Sequence, residues 1–251
     1  MSSKIIPMFF IIFSLYQLSL VLCSGNSGGN VCPANNKKDF DFFYFVQQWP
    51  GSYCNTKHRR CCYPSTGRLA QNFGIHGLWP TYKTGTYPSN CDPHRPFRLW
   101  QISQDLKSRM ERDWPTLTCP SSDGTKFWSH EWNKHGTCSG SSFDELKYFE
   151  TALNLKKKFN LLRILENAGI TPNGELYSLS NIEEAIREAT GFSPGIQCNM
   201  KGSSSQHQLY QVYMCVDNKT GSHFIECPLL PNGGCPSEIE FPSFIIQWWN
   251  Y

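Results

Sequence analysis

FDFFYFVQQW, residues 40–49, is aromatic and β-branched over most of its length. Such a run suits a strand buried on both faces, since a half-exposed strand would alternate apolar with polar residues. Working outward, Phe73 to Trp79 reads as a second apolar strand. Leu99, Ile102, Leu106 and Met110 recur at the helical spacings of three and four, and Pro115 closes that segment. Ser142 with Glu145, and Ser180 with Glu183, fit the capping box that satisfies free amides at a helix start. The first leads into Leu146, Phe149 and Leu153, the second into Ile182, Ala185, Ile186 and Ala189, stopped by Gly191. Leu209 to Val216 and Ser222 to Cys227 read as strands joined across Asp217 to Gly221 in a hairpin. Helices grouped between strands predict an α+β fold rather than an alternating parallel sheet.

Composition sets the outer limits. Of 251 residues, 39% are hydrophobic and 17% charged, which excludes disorder, collagen and coiled coil. Twelve cysteines, about 5%, reinforce a real core rather than replace one. Lys4 precedes an uncharged run from Ile5 to Cys23, broken by Ser14, Gln17 and Ser19 and followed by Ser24 and Gly25. This is the pattern of a secretory signal peptide over residues 1–25, cut at about 23–25, rather than of a membrane anchor. Cleavage removes Cys23 and Lys4, which leaves eleven cysteines and lowers the formal charge from +3 to +2. Residues 26–37 read as a flexible start, 38–244 as one domain and 245–251 as an apolar extension. A sequence pI near 8.2 permits an acidic partner without demanding one.

Two stretches place histidines among glycines and tryptophans: FGIHGLWP at 73–80, with His76, and FWSHEWNKHGTC at 127–138, with His130 and His135. With Trp128 to His135 helical and Gly136 its stop, His130 with Lys134 and Glu131 with His135 form two neighbouring rows. The HExxH zinc pattern fails, because His130 and His135 are five apart, about 140° around the helix axis. We therefore expect no metal and no cofactor. Paired imidazoles can take one proton and deliver another in a single reaction, with Lys134 and Glu131 tuning a phosphoryl centre. Such a pair predicts a bell-shaped pH profile.

FGIHGLWP and FWSHEWNKHGTC resemble the two active-site segments of the ribonuclease T2 family, and KDFDFFYFVQQWPGSYC at 38–54 resembles the start of its plant S-like extracellular members. The resemblance runs from about Lys38 to Phe244 and implies a central, mostly antiparallel sheet flanked by helices. It implies His135 as general base toward the ribose 2′-hydroxyl and His76 as general acid toward the leaving 5′-oxygen. Glu131 and Lys134 would stabilise the pentacoordinate phosphate, with His130 and Trp79 holding it. Gln48, Tyr53, Leu117 and Phe127 match positions of a base pocket. The implied substrate is single-stranded RNA, cut through a 2′,3′-cyclic phosphate with low base specificity, and DNA, lacking the nucleophile, is not cleaved. The implied disulfides are Cys54–Cys61, Cys62–Cys119, Cys91–Cys138, Cys198–Cys235 and Cys215–Cys227.

That leaves Cys32 as a free thiol, an intermolecular bridge or a residue lost to later processing, in a chain otherwise expected to be monomeric and free of the membrane. Asn218, in NKT, is the glycosylation sequon, set in the hairpin turn. The expected destination is extracellular, with the vacuole as alternative, since the tail IIQWWNY is readable as packed, removed or a sorting signal. A second function class, an extracellular recognition protein on the same fold, stays open at this level.

Overall fold

The computed structural model describes residues 40–56, 61–67, 69–140 and 143–244. The segments read as a signal peptide (1–25), as a flexible start with Cys32 (26–37) and as a C-terminal extension (245–251), together with Ser142, lie outside the described residues. In chain order come β1 (Phe42–Gln48), α1 (Pro50–Cys54), β2 (Gly74–Thr81), α2 (Gln104–Asp113), α3 (Thr125–Lys134), α4 (Glu145–Lys158) and α5 (Leu161–Asn167). Then follow β3 (Leu176–Ser178), α6 (Leu179–Thr190), β4 (Gly195–Met200), β5 (His207–Asp217), β6 (Phe224–Ile225) and β7 (Glu238–Glu240). The strands form one sheet in the order β2-β1-β5-β7-β3, with β4 and β6 also paired to β5. Every pairing is antiparallel except β5 with β7, which meets the expected α+β architecture.

β1 shows why its composition is so apolar. Phe43 and Phe45 point into the main core with Trp128, Trp132, Tyr148 and Phe149. Phe42, Tyr44 and Val46 point the other way, into a smaller cluster with Tyr213 and Cys215. Both faces are covered, and each fully buried Phe contributes about 1.5–3 kcal/mol by leaving water. α4 lies over the sheet, its Tyr148 hydroxyl donating to Leu78 O at 2.9 Å. All five implied disulfides are present. Among the described residues no helix is long and apolar enough to cross a membrane.

The structure corrects the starts of α2, α4 and α6, as it does that of α3 below. The cap of α4, expected at Ser142, is Asp144, its carboxylate accepting from Lys147 N at 2.8 Å. Glu145 is turned away to accept from Arg98 N. α6 begins at Leu179, its cap Ser178 standing two residues before the expected Ser180 and making no side-chain cap bond. The segment read as one helix from Leu99 is split: a 3₁₀ turn at Leu99–Gln101 gives way at Ser103, whose Oγ accepts from Leu106 N and starts α2.

Candidate active site

His76 lies in β2 where the pairing with β1 slips. Gly77 opposes Val46 and Ile75 opposes Gln47, so His76 is the extra residue of a β-bulge. The consequence is parity. His76 and Trp79 are three apart and would face opposite sides of a regular strand, yet here both line the same cleft. Trp114 Nε1 donates to the bulge carbonyl, His76 O, at 2.9 Å. Gly77 admits no side chain, because a Cβ there would collide with Trp79 Nε1 and Glu131 Oε2.

α3 brings the other groups. Two indoles pin it: Trp128 Nε1 donates to Trp114 O at 2.8 Å and Trp132 Nε1 to Arg95 O at 2.7 Å. The helix starts earlier than expected, at Thr125, and ends at Lys134, so His135 is its C-cap rather than a helical residue. Cys138, three residues on, is tied to Cys91. Glu131 is 2% exposed and its Oε2 accepts from Trp79 Nε1 at 2.8 Å. His135 is 5% exposed and stacked on Trp79, ring centroids 5.2 Å apart. Tyr87 closes over the outer side, 5.9 Å from the His135 ring and 5.8 Å from Lys134 Nζ.

Two cavities meet at this cluster. The larger, about 610 Å³, is lined by Gln48, Tyr53, Leu117 and Phe127, and the smaller, about 320 Å³, by Trp79, Lys134 and His135. His76, His130 and Glu131 line both. The four positions that the resemblance assigns to a base pocket therefore share one cavity, while Trp79 stands in the other.

A family model for the "Ribonuclease T2 family" matches residues 40–227. The chain belongs to the ribonuclease T2 family. It is 55% identical over 233 residues to the extracellular ribonuclease LE of Solanum lycopersicum, covering 92% of this chain and 97% of that one. It is 57% identical over 209 residues to the intracellular ribonuclease LX of the same plant, covering 82% and 86%. The crystal structure of RNase NT in complex with 5′-AMP superposes with a TM-score of 0.75 at 56% identity, covering 81% of this chain and 98% of that one. Its enzyme class is that of the family, a T2-type endoribonuclease.

Within this T2 site, burial sets the charge states. Glu131 is pushed up to about 8, chiefly by desolvation, against the pull of the Trp79 hydrogen bond and Lys134. His135 is pushed down to about 3, again chiefly by desolvation, with Lys134, His130 and His76 adding repulsion. His130, more exposed, is lowered less, by burial and then Lys134. Burial thus favours the neutral form of both Glu131 and His135. Among the described residues no group of three or more His, Cys, Asp or Glu could hold a metal ion. Asn218 sits in the turn after β5, its Nδ2 donating to Phe40 O at 2.8 Å.

Sequence reading missed Tyr44, Tyr87 and Tyr213 in the smaller cavity, and Gln211 beside His76. Tyr44 and Tyr213 look like core positions in apolar strands, and Tyr87 lies in a loop without a motif. The period-two alternation of β5 was the available signal for Gln211 and Tyr213, since it puts both on the face opposite Val212 and Met214.

Proposed function

We propose that this protein is a secreted endoribonuclease that cuts single-stranded RNA without a metal, through a 2′,3′-cyclic phosphate to 3′-phosphate ends, with low base specificity. The observation that carries this reading is a pair of imidazoles lining one cleft in opposite surroundings, His76 with a polar partner on its ring and His135 buried and neutral. Neutral His135 takes the proton of the ribose 2′-hydroxyl, whose oxygen attacks phosphorus. The P–O5′ bond breaks as His76 gives its proton to the leaving oxygen. Water then opens the cyclic ester with the two roles reversed. Lys134 offsets the charge gathering on the phosphate. Protonated Glu131 donates to a phosphate oxygen where a carboxylate would repel it. His130 and Trp79 hold the phosphate.

Gln48, Tyr53, Leu117 and Phe127 offer one base a face to stack on, and stacking discriminates weakly between bases. DNA lacks the nucleophile and is not cut. The apolar run at residues 5–23, the five disulfides and the relative named extracellular support secretion; in the proposed function the protein acts as a monomer in RNA turnover, phosphate recycling or defence. The test incubates purified protein with RNA and with single-stranded DNA, each with and without EDTA, and analyses the ends formed. Cyclic phosphate ends from RNA alone, unaffected by EDTA, are expected; loss of cleavage in EDTA overturns the metal-free mechanism.

A further inference from the structure

Three glutamines stand in a row across the sheet. Gln211 of β5 opposes Gln48 of β1 on one side and Gln197 of β4 on the other. Gln211 is 2% exposed, and one end of its amide lies 2.5 Å from His76 Nδ1. The other end lies 2.9 Å from the hydroxyl of Tyr213, itself 7% exposed, and that hydroxyl is also 3.0 Å from Gln197 Oε1. The amide end facing His76 is 3.3 Å from Gln48 Oε1.

A count of protons leaves two arrangements, and the acid role of His76 selects between them. Turning the Gln197 amide alone would have Gln211 Nε2 donate to a bare His76 Nδ1, which a protonated imidazole does not offer. The Tyr213 hydroxyl has a single proton, so it cannot donate to Gln197 and Gln211 at once. A half-turn of the Gln211 amide, which exchanges nitrogen and oxygen in place, satisfies every group. Gln211 Nε2 then donates to Tyr213 Oη, Tyr213 donates to Gln197 Oε1, and Gln211 Oε1 accepts from a proton on His76 Nδ1. A matching turn of Gln48 adds a second donor to the same oxygen. Buried polar groups are held to such complete pairing, because one left unmade costs about 1–3 kcal/mol.

We propose that Gln211, backed by Tyr213 and Gln197, is a positioning residue that fixes a proton on His76 Nδ1 and leaves Nε2 as the one ring atom that exchanges a proton with substrate. The inference rests on His76 being the general acid. The hydrogen bond at one ring nitrogen sets which tautomer the other presents. An amide does this without the charge of a carboxylate, which would strengthen the imidazolium's hold on its proton and weaken it as an acid. Gln211 belongs to no histidine motif and lies 135 residues from His76 in sequence.

The test compares two substrates: a dinucleoside monophosphate, whose alkoxide leaving group needs an acid, and a nucleoside 3′-(p-nitrophenyl phosphate), whose leaving group does not. Gln211→Leu is expected to lower kcat on the first about tenfold or more and to leave the second within about threefold, with KM little changed. Tyr213→Phe keeps the ring and is expected to show the same split, smaller, and decides the matter should Gln211→Leu not fold. ¹⁵N NMR of the whole protein should show neutral His76 protonated at Nδ1, with that proton redistributed toward Nε2 in Gln211→Leu. Equal losses on both substrates, or an unmoved tautomer, overturn the relay. His76→Ala is the control: if it too fails to separate the substrates, the acid assignment falls, whereas a split in His76→Ala alone removes only Gln211's part.

Discussion

His76 and His135 face the same cleft from two differently built regions. One stands in a strand bulge, its Nδ1 beside the amide of Gln211. The other ends a helix, pressed on Trp79, with Nδ1 buried and without a hydrogen-bond partner among the described residues. A ring with a polar partner can carry and release a proton, while a ring buried among apolar and cationic neighbours is held neutral. In the proposed mechanism this difference of environment is what assigns acid and base to two identical side chains.

The sharpest way to break this comparison is to remove each ring. His76→Ala and His135→Ala should each lower kcat on RNA by about 10²–10⁴, and the p-nitrophenyl substrate should recover much of the loss in the first variant only. Recovery in both, or in neither, would erase the distinction. Next in size, opening the Cys91–Cys138 bridge with a double Ser substitution releases a loop of sequence separation 47. In the chain-entropy treatment this costs about 4 kcal/mol, read as a fall in the urea midpoint. Activity at temperatures where the variant stays folded should fall as well, because the bridge is anchored three residues after His135.

Glu131 supplies a third test, of stability against pH. Its folded carboxyl titrates at about 8 against 4.5 when free, so the fold keeps a proton that the unfolded chain releases. That contribution is fully present below about 4.5 and is lost as pH rises toward 8. Glu131→Gln, which cannot ionise, should melt above the parent at pH 8 and close to it at pH 4, while cutting RNA more slowly. A parallel shift at both pH values would mean that the carboxyl is ionised in the fold.

The smallest effect concerns the acid limb of the rate profile. Two ordinary imidazoles would give a bell, but with His135 lowered to about 3 the base stays ready far into acid. Between pH 4 and 9, kcat/KM should therefore show only its alkaline fall, the acid fall appearing nearer pH 3. An acid limb near 6.5 would return His135 to the ordinary class.

How far the sequence was legible follows from the range of each signal. β1, the β5 hairpin and α3 are written in residues a few positions apart and are present as read, except that His135 caps α3 instead of lying in it. The bulge is not, since a strand's register depends on its partner. Its one local trace is Gly77, a glycine inside an apolar strand, which marks a close approach of other atoms. β3 and β7, three residues each, hold too little pattern to recognise. The Gln48–Gln211–Gln197 row was out of reach, because it exists only once three distant strands have aligned.

β5 pairs with β1, β4, β6 and β7, and its partnership with β1 spans most of the domain. A ribosome that has delivered the chain through α6 has already made His76, Glu131, His135 and the β1–β2 pair, but not β5, which covers the other edge of β1 and brings Gln211 to the His76 ring. The groups that attack RNA thus precede in synthesis the strand that arranges them. Such long-range pairing is also slow to form. While still attached to its own messenger, the chain has the parts of a nuclease without their assembly.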